Sequence, residues 1–329
     1  MSPEKKIVFS GIRPTGSAHL GNYVGALRNW VRLQDEYRCI FSIVSWHALS
    51  SDYEKAREIK DKTFEMACDL LGLGLDPERC ILFVQSDVQE HAELHLILSM
   101  FTPLPWVERV PTFKEMQQEL VDRDVYTYGF LGYPVLQTAD ILLYKAEVVP
   151  VGEDQAYHLE LAREITRRFN RMAAPVFPEP QILLTEVPKL AGTDGRKMSK
   201  SFGNAIYLKD GPEVVKQKVS TMTTDTRRKR RTDAGEPNDC PVFTLHRAFV
   251  DKAKREELAG QCRAAGIGCL SCKQVVIDSL EALLGPFREK RARFERDPKL
   301  VWDILAAGRD KAQAMARQTM KEVRDSLGF

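Results

Sequence analysis

No apolar run in the 329 residues is long enough to span a bilayer, which excludes an integral membrane helix. Nor does a secretory apolar core follow Met1-Ser2-Pro3-Glu4-Lys5-Lys6, so a cytoplasmic location is expected. Net charge is also nearly absent, at +2. That excludes a global field as the means of holding nucleic acid, and any such contact has to come from local patches. There are no internal repeats and no low-complexity tracts. With 43% hydrophobic and 29% charged residues, the chain reads as ordinary globular protein, and its length suggests about two domains. Of seven cysteines, Cys39, Cys68 and Cys80 lie in apolar segments and read as core thiols. Cys240, Cys262, Cys269 and Cys272 cluster in the last third, and in a reducing compartment such a cluster points to metal, not disulfides.

What is present begins at residue 7. Ile7-Val8-Phe9 reads as a buried strand, a Gly/Pro/Thr turn ends it, and a helical pattern starts near Gly21 with Val24, Leu27 and Val31. The glycines at 11, 16 and 21 therefore stand where a strand hands over to a helix. Backbone N–H groups and a positive helix end at such a junction bind phosphate. His19 and Asn22 add side-chain donors there. An ordinary structural turn would look much the same, because short Gly-rich matches are weak signals. A second stretch changes the weighing: Lys197-Met198-Ser199-Lys200-Ser201, after Thr193-Asp194-Gly195, sets two lysines on a Gly-flanked loop suited to a transferring polyphosphate.

Between these stretches strands and helices alternate. Strand is expected at 7–12, helix at 21–37, strand from Cys39 to Trp46, helix at 54–72 ending at Gly72 and Gly74, strand at Ile81–Val84 and helix at 90–101. That order predicts an α/β fold with a doubly wound parallel sheet, whose ligands lie at the carboxyl ends of the strands. Residues 102–132 carry Pro103, Pro105, Pro111 and the amphipathic Thr112–Leu120, and read as an insertion. Helix at 134–146, strand at Glu147–Val151 and helix at 153–170 follow, and a Pro-rich segment at 175–188 leads into the lysine loop. Beyond about 205 the pattern is helical, near 212–222, 242–260, 273–295, 298–307 and 309–327, with Gly308 separating the last two. The expected division is thus a catalytic domain over 1–205 and a helical domain over 206–329. The basic run Arg227-Arg228-Lys229-Arg230-Arg231 is either a solvated loop or a phosphate contact.

Tyr133, Gln137 and Asp140 fall on one helical face at i, i+4 and i+7. Asp140 stands among apolar residues, so its carboxylate must be paired within the protein or serve a ligand.

The two signatures resemble the HIGH and KMSKS motifs of class I aminoacyl-tRNA synthetases. Together with Asp140-Ile141-Leu142-Leu143-Tyr144 and Val151-Gly152-Glu153-Asp154-Gln155, they make nearly the whole chain similar to the tryptophanyl-tRNA synthetase family. The resemblance implies a Rossmann-like catalytic domain, with Asp140 accepting the indole N–H. Phe9, Gly11, His47, Tyr133, Val149 and Val151 would line the tryptophan pocket, and Tyr133, Gln137 and Gln155 would hold the polar end of the amino acid. Arg13, Pro14, Thr15, His19, Gly21 and Asn22 would meet ATP. Gly152, Glu153 and Asp154 would lie around adenosine, and Lys197, Met198, Ser199, Lys200 and Ser201 would close on pyrophosphate. His19, Asn22, Lys197 and Lys200 are the catalytic candidates, with Mg²⁺ bridging the phosphates.

Some positions depart from the family pattern. Gln137 stands where many bacterial tryptophan enzymes have Met and favours the tyrosyl relatives. Phe9 argues the other way, because it lacks the hydroxyl that a phenol would need as partner; an unmatched buried polar group costs roughly 1–3 kcal/mol. Arg13 replaces the common Gln, and Ser45 replaces an Asp found in relatives. A tyrosyl enzyme and a non-aminoacylating paralogue that binds tRNA or protein remain the alternatives to a tryptophan enzyme charging tRNA(Trp) as a homodimer.

In the cysteine cluster 21 residues separate Cys240 from Cys262, six separate Cys262 from Cys269, and two separate Cys269 from Cys272. The spacing suits either zinc or an iron–sulfur cluster. Resemblance to a subset of bacterial tryptophanyl enzymes, including Asn238-Asp239-Cys240-Pro241-Val242, implies a 4Fe–4S cluster in a helical anticodon-facing domain.

Overall fold

The computed structural model describes residues 5–110, 127–152, 155–184 and 189–329. Five parallel strands form one sheet in the order β3-β2-β1-β4-β5: β1 Ile7–Ile12, β2 Arg38–Ile43, β3 Cys80–Val84, β4 Val148–Val151 and β5 Gln181–Leu184. β1, β2 and the edge strand β3 are apolar on both faces because helices cover both. Val8, Ile40, Phe41, Ile43, Leu82 and Phe83 are all buried. The strand order reverses between β1 and β4, which opens a crevice beyond the ends of those two strands, at Ile12 and Val151.

The expected parallel α/β fold is therefore present, with differences that have local causes. The strand expected to run to Trp46 stops at Ile43, and a helix takes Ser45–Asp52. The Val44 N–H makes the last bond to β1, at 2.9 Å from the Ile12 carbonyl; beyond it the Trp46 N–H bonds the Gln85 side chain at 3.0 Å, and the Ser45 hydroxyl accepts the Ser86 N–H at 3.1 Å. The helical stretch beginning at Leu20 is α-helical to Asn22, π-helical over Tyr23–Leu27 and α-helical again over Arg28–Glu36. Thr127 starts the helix Tyr128–Leu143 by accepting the Phe130 N–H at 3.2 Å, six residues ahead of the expected start at Pro134. The single helix expected over 242–260 is two, Pro241–Phe249 and Lys252–Arg263, the second capped by Asp251. β5 lies in the segment expected to be Pro-rich loop; it is a four-residue edge strand with Leu184 exposed. Of the expected insertion, the described part shows the helix Leu104–Glu108. Thr112–Leu120 lies outside the described residues.

The largest departure is at the C-terminus. Gly308 does not separate two helices; Pro298–Leu327 is one helix of 30 residues. A Cβ on Gly308 would stand 1.9 Å from the Leu82 carbonyl oxygen, so the glycine lets the helix backbone press against β3. Ala312, Ala316, Met320 and Val323 of the same helix join the core that holds Phe9, Ile40 and Phe83.

Two compact units result. One is residues 1–16, 30–185 and 294–329, the other 17–29 and 186–293. The division does not follow a single break near 205. The last helix belongs with the sheet, and the turn carrying His19 belongs with the lysine loop. The second unit is otherwise helical, with Pro212–Thr221, Pro241–Phe249, Lys252–Arg263 and most of Cys269–Arg296. Among the described residues no helix is long and apolar enough to cross a membrane.

Candidate functional site

In the sheet unit, Asp140 is the centre of a buried polar network. His91 Nδ1 lies 2.7 Å from Oδ1, His47 Nε2 lies 3.0 Å from Oδ2, and Gln85 Nε2 is 2.8 Å from both oxygens. Burial alone would raise the Asp140 pKa. The His91 charge and the hydrogen bonds from His47 and His91 outweigh it and hold the carboxyl at about 2. Asp140 is thus ionised, 1% exposed and already paired, and can accept one further donor. His47, expected near the pocket, is in this network. Gln85 and His91 were not singled out in the sequence. Gln85 is the first residue past β3 and His91 lies in the first turn of the helix Glu90–Phe101, so carboxyl-edge placement was the available signal.

Tyr133 turns its hydroxyl to His158 Nε2 at 2.6 Å, and His158 was also missed. Phe9 is 3% exposed and stacks on Tyr144, with ring centroids 5.5 Å apart. Val149 and Val151 are buried on β4, Gln137 and Gly152 are half-buried, and the Gln155 N–H closes a turn onto the Gly152 carbonyl at 3.0 Å. Gly11 is where β1 passes Val44: a Cβ there would meet Val44 Cγ1 at 2.7 Å. Pro14 is buried, and the Thr15 N–H bonds the Arg13 carbonyl at 2.9 Å. Arg13 reaches Ser51 Oγ and Asp52 Oδ2, the latter at 3.3 Å. Glu153 and Asp154 lie outside the described residues.

The second unit brings the two signatures together. The Leu20 N–H bonds the Ile206 carbonyl and the Leu208 N–H bonds the Ala18 carbonyl, both at 2.9 Å, so 18–20 and 206–208 pair antiparallel around His19 and Tyr207. His19 and Asn22 cap the helix start reciprocally: the Asn22 backbone N–H donates to His19 Nδ1 at 3.2 Å, and the His19 N–H donates to Asn22 Oδ1 at 3.1 Å. Burial, and then the Lys200 charge, lower the His19 pKa to about 4. The ring is therefore neutral at pH 7. With Nδ1 accepting, its proton sits on Nε2, which makes that edge a donor. A Cβ on Gly21 would lie 2.8 Å from the His19 ring.

In the lysine loop Met198 is buried, Lys197 exposed, and Ser199 and Lys200 half-buried; the Ser199 and Ser201 hydroxyls are 2.8 Å apart. Asn204, 2% exposed, organises the loop. Its amide donates to Asp194 Oδ1 at 2.7 Å and to the Lys197 carbonyl at 3.1 Å, and its oxygen accepts the Ser199 N–H at 2.8 Å. It stands three residues past Ser201 and was missed because a lone Asn in a polar stretch carries no spacing signal. Replacing Asn204 with Ala removes all three bonds. We expect kcat for the ATP-dependent step to fall by roughly tenfold or more, with a Tm lowered by a few degrees because buried partners are left unpaired, checked by pyrophosphate exchange and thermal melting.

The four clustered cysteines are electrostatic neighbours. Burial, then the charges of Cys240, Cys262 and Cys269, push Cys272 up to about 12. The His246 ring Nε2 lies 3.1 Å from Cys272 Sγ. Among the described residues no group of three or more His, Cys, Asp or Glu side chains is arranged to hold a metal ion as it stands. The basic run is not uniform. Arg227 pairs with Asp225 at 3.0 Å and with Asp239. Arg228 turns in, with Nη1 3.7 Å from Cys262 Sγ and Nη2 donating to the Arg231 and Ile267 carbonyls at 3.0 and 2.9 Å. Lys229, Arg230 and Arg231 are exposed.

The family model described as tRNA synthetases class I (W and Y) matches residues 1–285. A tryptophan–tRNA ligase from Thermotoga maritima is 47% identical over 324 residues, covering 98% of this chain and 99% of the relative. One from Ralstonia nicotianae is 43% identical over 399 aligned positions, covering 100% and 99%. Among solved structures, a tryptophanyl-tRNA synthetase from Campylobacter jejuni complexed with ADP and tryptophan superposes with a TM-score of 0.87 at 32% identity, covering 98% of this chain and 100% of that one.

Proposed function

The chain belongs to the class I tRNA synthetases of the tryptophan and tyrosine branch, and from that we propose that it activates tryptophan with ATP and transfers it to tRNA(Trp). Its relatives at 43–47% identity are tryptophan–tRNA ligases over the full length, and that supports tryptophan over tyrosine. The observation that carries the chemistry is the pairing of residues 18–20 with 206–208, which holds His19 and the lysine loop in one unit.

In the first step the tryptophan carboxylate attacks the α-phosphorus of ATP in line. The bond to the bridging oxygen breaks, giving tryptophanyl-adenylate and pyrophosphate. In the second, the terminal ribose hydroxyl of the tRNA attacks the carbonyl carbon and AMP leaves. No protein nucleophile is required, so the protein's work is positioning and charge stabilisation. The neutral His19 donates from Nε2 to a phosphate oxygen, and the helix start at Leu20 adds backbone donors. Lys197 and Lys200 meet the charge that builds on pyrophosphate, with Ser199 and Ser201 beside them, while Asn204 holds the loop that carries them. Arg13, Pro14, Thr15, Gly21, Asn22, Gly152, Glu153 and Asp154 surround ATP, and Mg²⁺ neutralises its phosphates. Asp140 accepts the indole N–H in a pocket of Phe9, Gly11, His47, Tyr133, Val149 and Val151. Gln137 and Gln155 take the amino acid's polar end.

Cys240, Cys262, Cys269 and Cys272 are proposed as ligands of a 4Fe–4S cluster. Arg228 supports this: among the described residues its half-buried guanidinium beside Cys262 meets only that sulfur and two carbonyls, and it gains a matching charge when the sulfurs are metal-bound thiolates. Protein prepared anaerobically should carry roughly four irons per chain, measured by metal analysis; stoichiometric zinc without iron would sink the cluster. We place the enzyme in the cytoplasm as a homodimer, with residues 206–293 reading the anticodon.

The direct test of the function is amino-acid-dependent ATP–pyrophosphate exchange with tryptophan and with tyrosine. Exchange with tryptophan alone, followed by charging of tRNA(Trp), is the expected result. Exchange with tyrosine would mean that Gln137 outweighs Phe9, and tRNA binding without exchange would leave the paralogue.

A further inference from the structure

The fold buries two polar side chains that the reaction above leaves without a role. His91 is 0% exposed and Tyr144 1% exposed, and both sit in the apolar heart of the sheet unit. They are linked: His91 Nε2 lies 2.7 Å from the Tyr144 hydroxyl, and His91 Nδ1 lies 2.7 Å from Asp140 Oδ1. Phe residues would fill the same volume without the desolvation of a phenol and an imidazole, so stability alone does not account for them. The network ends on one face of a single carboxylate.

Gln85 divides its donation between the two Asp140 oxygens at 2.8 Å each, and is itself fixed by accepting the Trp46 N–H at 3.0 Å. Oδ1 therefore receives His91 and a share of Gln85. Oδ2 receives His47 at 3.0 Å and the other share. Three donors leave a carboxylate about one acceptor site, and it opens on the Oδ2 side, where His47 is 8% exposed whereas His91 on the Oδ1 side is 0% exposed. Tyr144 also stacks on Phe9, with 11° between the ring planes, so the group that orients His91 backs the aromatic wall as well.

We propose that His91, oriented by Tyr144, is a positioning residue for amino-acid selection: it occupies Oδ1, fixes the carboxylate plane, and leaves Asp140 one acceptor site on Oδ2. A flat ring with a single N–H satisfies that site. A phenol brings a hydroxyl oxygen that also needs a donor, and the donors around Asp140 are already committed to it. The inference rests on the reading of Asp140 as the indole acceptor and extends it to two residues that do not touch the substrate.

The experiment measures kcat and KM for tryptophan and for ATP by pyrophosphate exchange in Tyr144→Phe, His91→Leu and His91→Asn, with thermal melting of each. Tyr144→Phe keeps the stack on Phe9 and removes only the hydroxyl, so it should fold. We expect its tryptophan KM to rise several-fold, that of His91→Leu roughly tenfold or more, and that of His91→Asn, which keeps a donor toward Asp140, to return most of the way. ATP KM should stay within about twofold, because no buried polar partner of ATP is lost. A wild-type tryptophan KM in Tyr144→Phe, or a rise shared equally by ATP, would overturn the proposal. Wild-type protein without tryptophan-dependent exchange would instead overturn the functional reading on which it rests.

Discussion

Asp140→Ala should lower kcat/KM for tryptophan-dependent exchange by about a hundredfold or more. The substitution removes the acceptor for the substrate N–H. It also strands His91, Gln85 and His47, three donors now pointing at a void in a buried site. Part of the loss should therefore appear as a lower Tm, and kinetics and melting on the same preparation separate the two. Wild-type exchange in the variant would show that Asp140 is a structural ion partner only. The pH dependence has a definite sign. Because the folded carboxyl is held at about 2, below the unfolded value, its stabilising contribution is complete above the unfolded pKa and is lost as pH falls through about 2. Acid melting curves of wild type and variant should therefore converge at low pH.

Gly308→Ala should be the most damaging single methyl in the sheet unit. The added carbon would stand 1.9 Å from the Leu82 oxygen and 2.7 Å from its carbonyl carbon, and these are backbone atoms of a central layer, so no rotamer change relieves the clash. The helix would have to lift from β3. A cost of about 3 kcal/mol or more is expected, seen as a drop in Tm of roughly 6–12 °C at 2–4 °C per kcal/mol. Alanine favours helices in general, so a neutral or stabilised variant would mean that the helix does not approach β3 this closely.

The same glycine shows where sequence reading succeeds and where it stops. β1 and the helix Glu90–Phe101 lie where apolar runs and periodicity put them, because those signals are local. Gly74 ends its helix in the left-handed conformation that glycine favours. Gly308 carries the same letter for another reason: a chain segment more than two hundred residues away leaves no room for a side chain. Proximity of that kind writes no pattern into neighbouring positions. β5 was hidden because edge strands need neither length nor full apolarity.

For the candidate site, Asp140, His19, Asn22 and the lysine loop could be singled out from type and spacing, and His47 from the family resemblance. His91, Gln85, His158 and Asn204 could not. Each is a polar residue whose meaning comes from what it faces: Asp140 for His91 and Gln85, Tyr133 for His158, the loop backbone for Asn204. Likewise, the single basic run at 227–231 contains one cation turned toward sulfur and three turned to solvent. A count of charges cannot make that division.

The return of the last helix to the sheet sets an order in time. β1, β2, β3 and their neighbours are made early, yet Ala312, Ala316, Met320 and Val323 complete their core. At about 5–20 residues per second, synthesis takes roughly 7–29 seconds from the end of the last strand at Leu184 to the end of the last helix at Leu327. For that interval the core lacks the side chains that the last helix brings to it, while the whole of 186–293 is being made. The protein should therefore lean on chaperones during translation more than its size suggests, and a chain stopped before Pro298 should be found bound to them or aggregated.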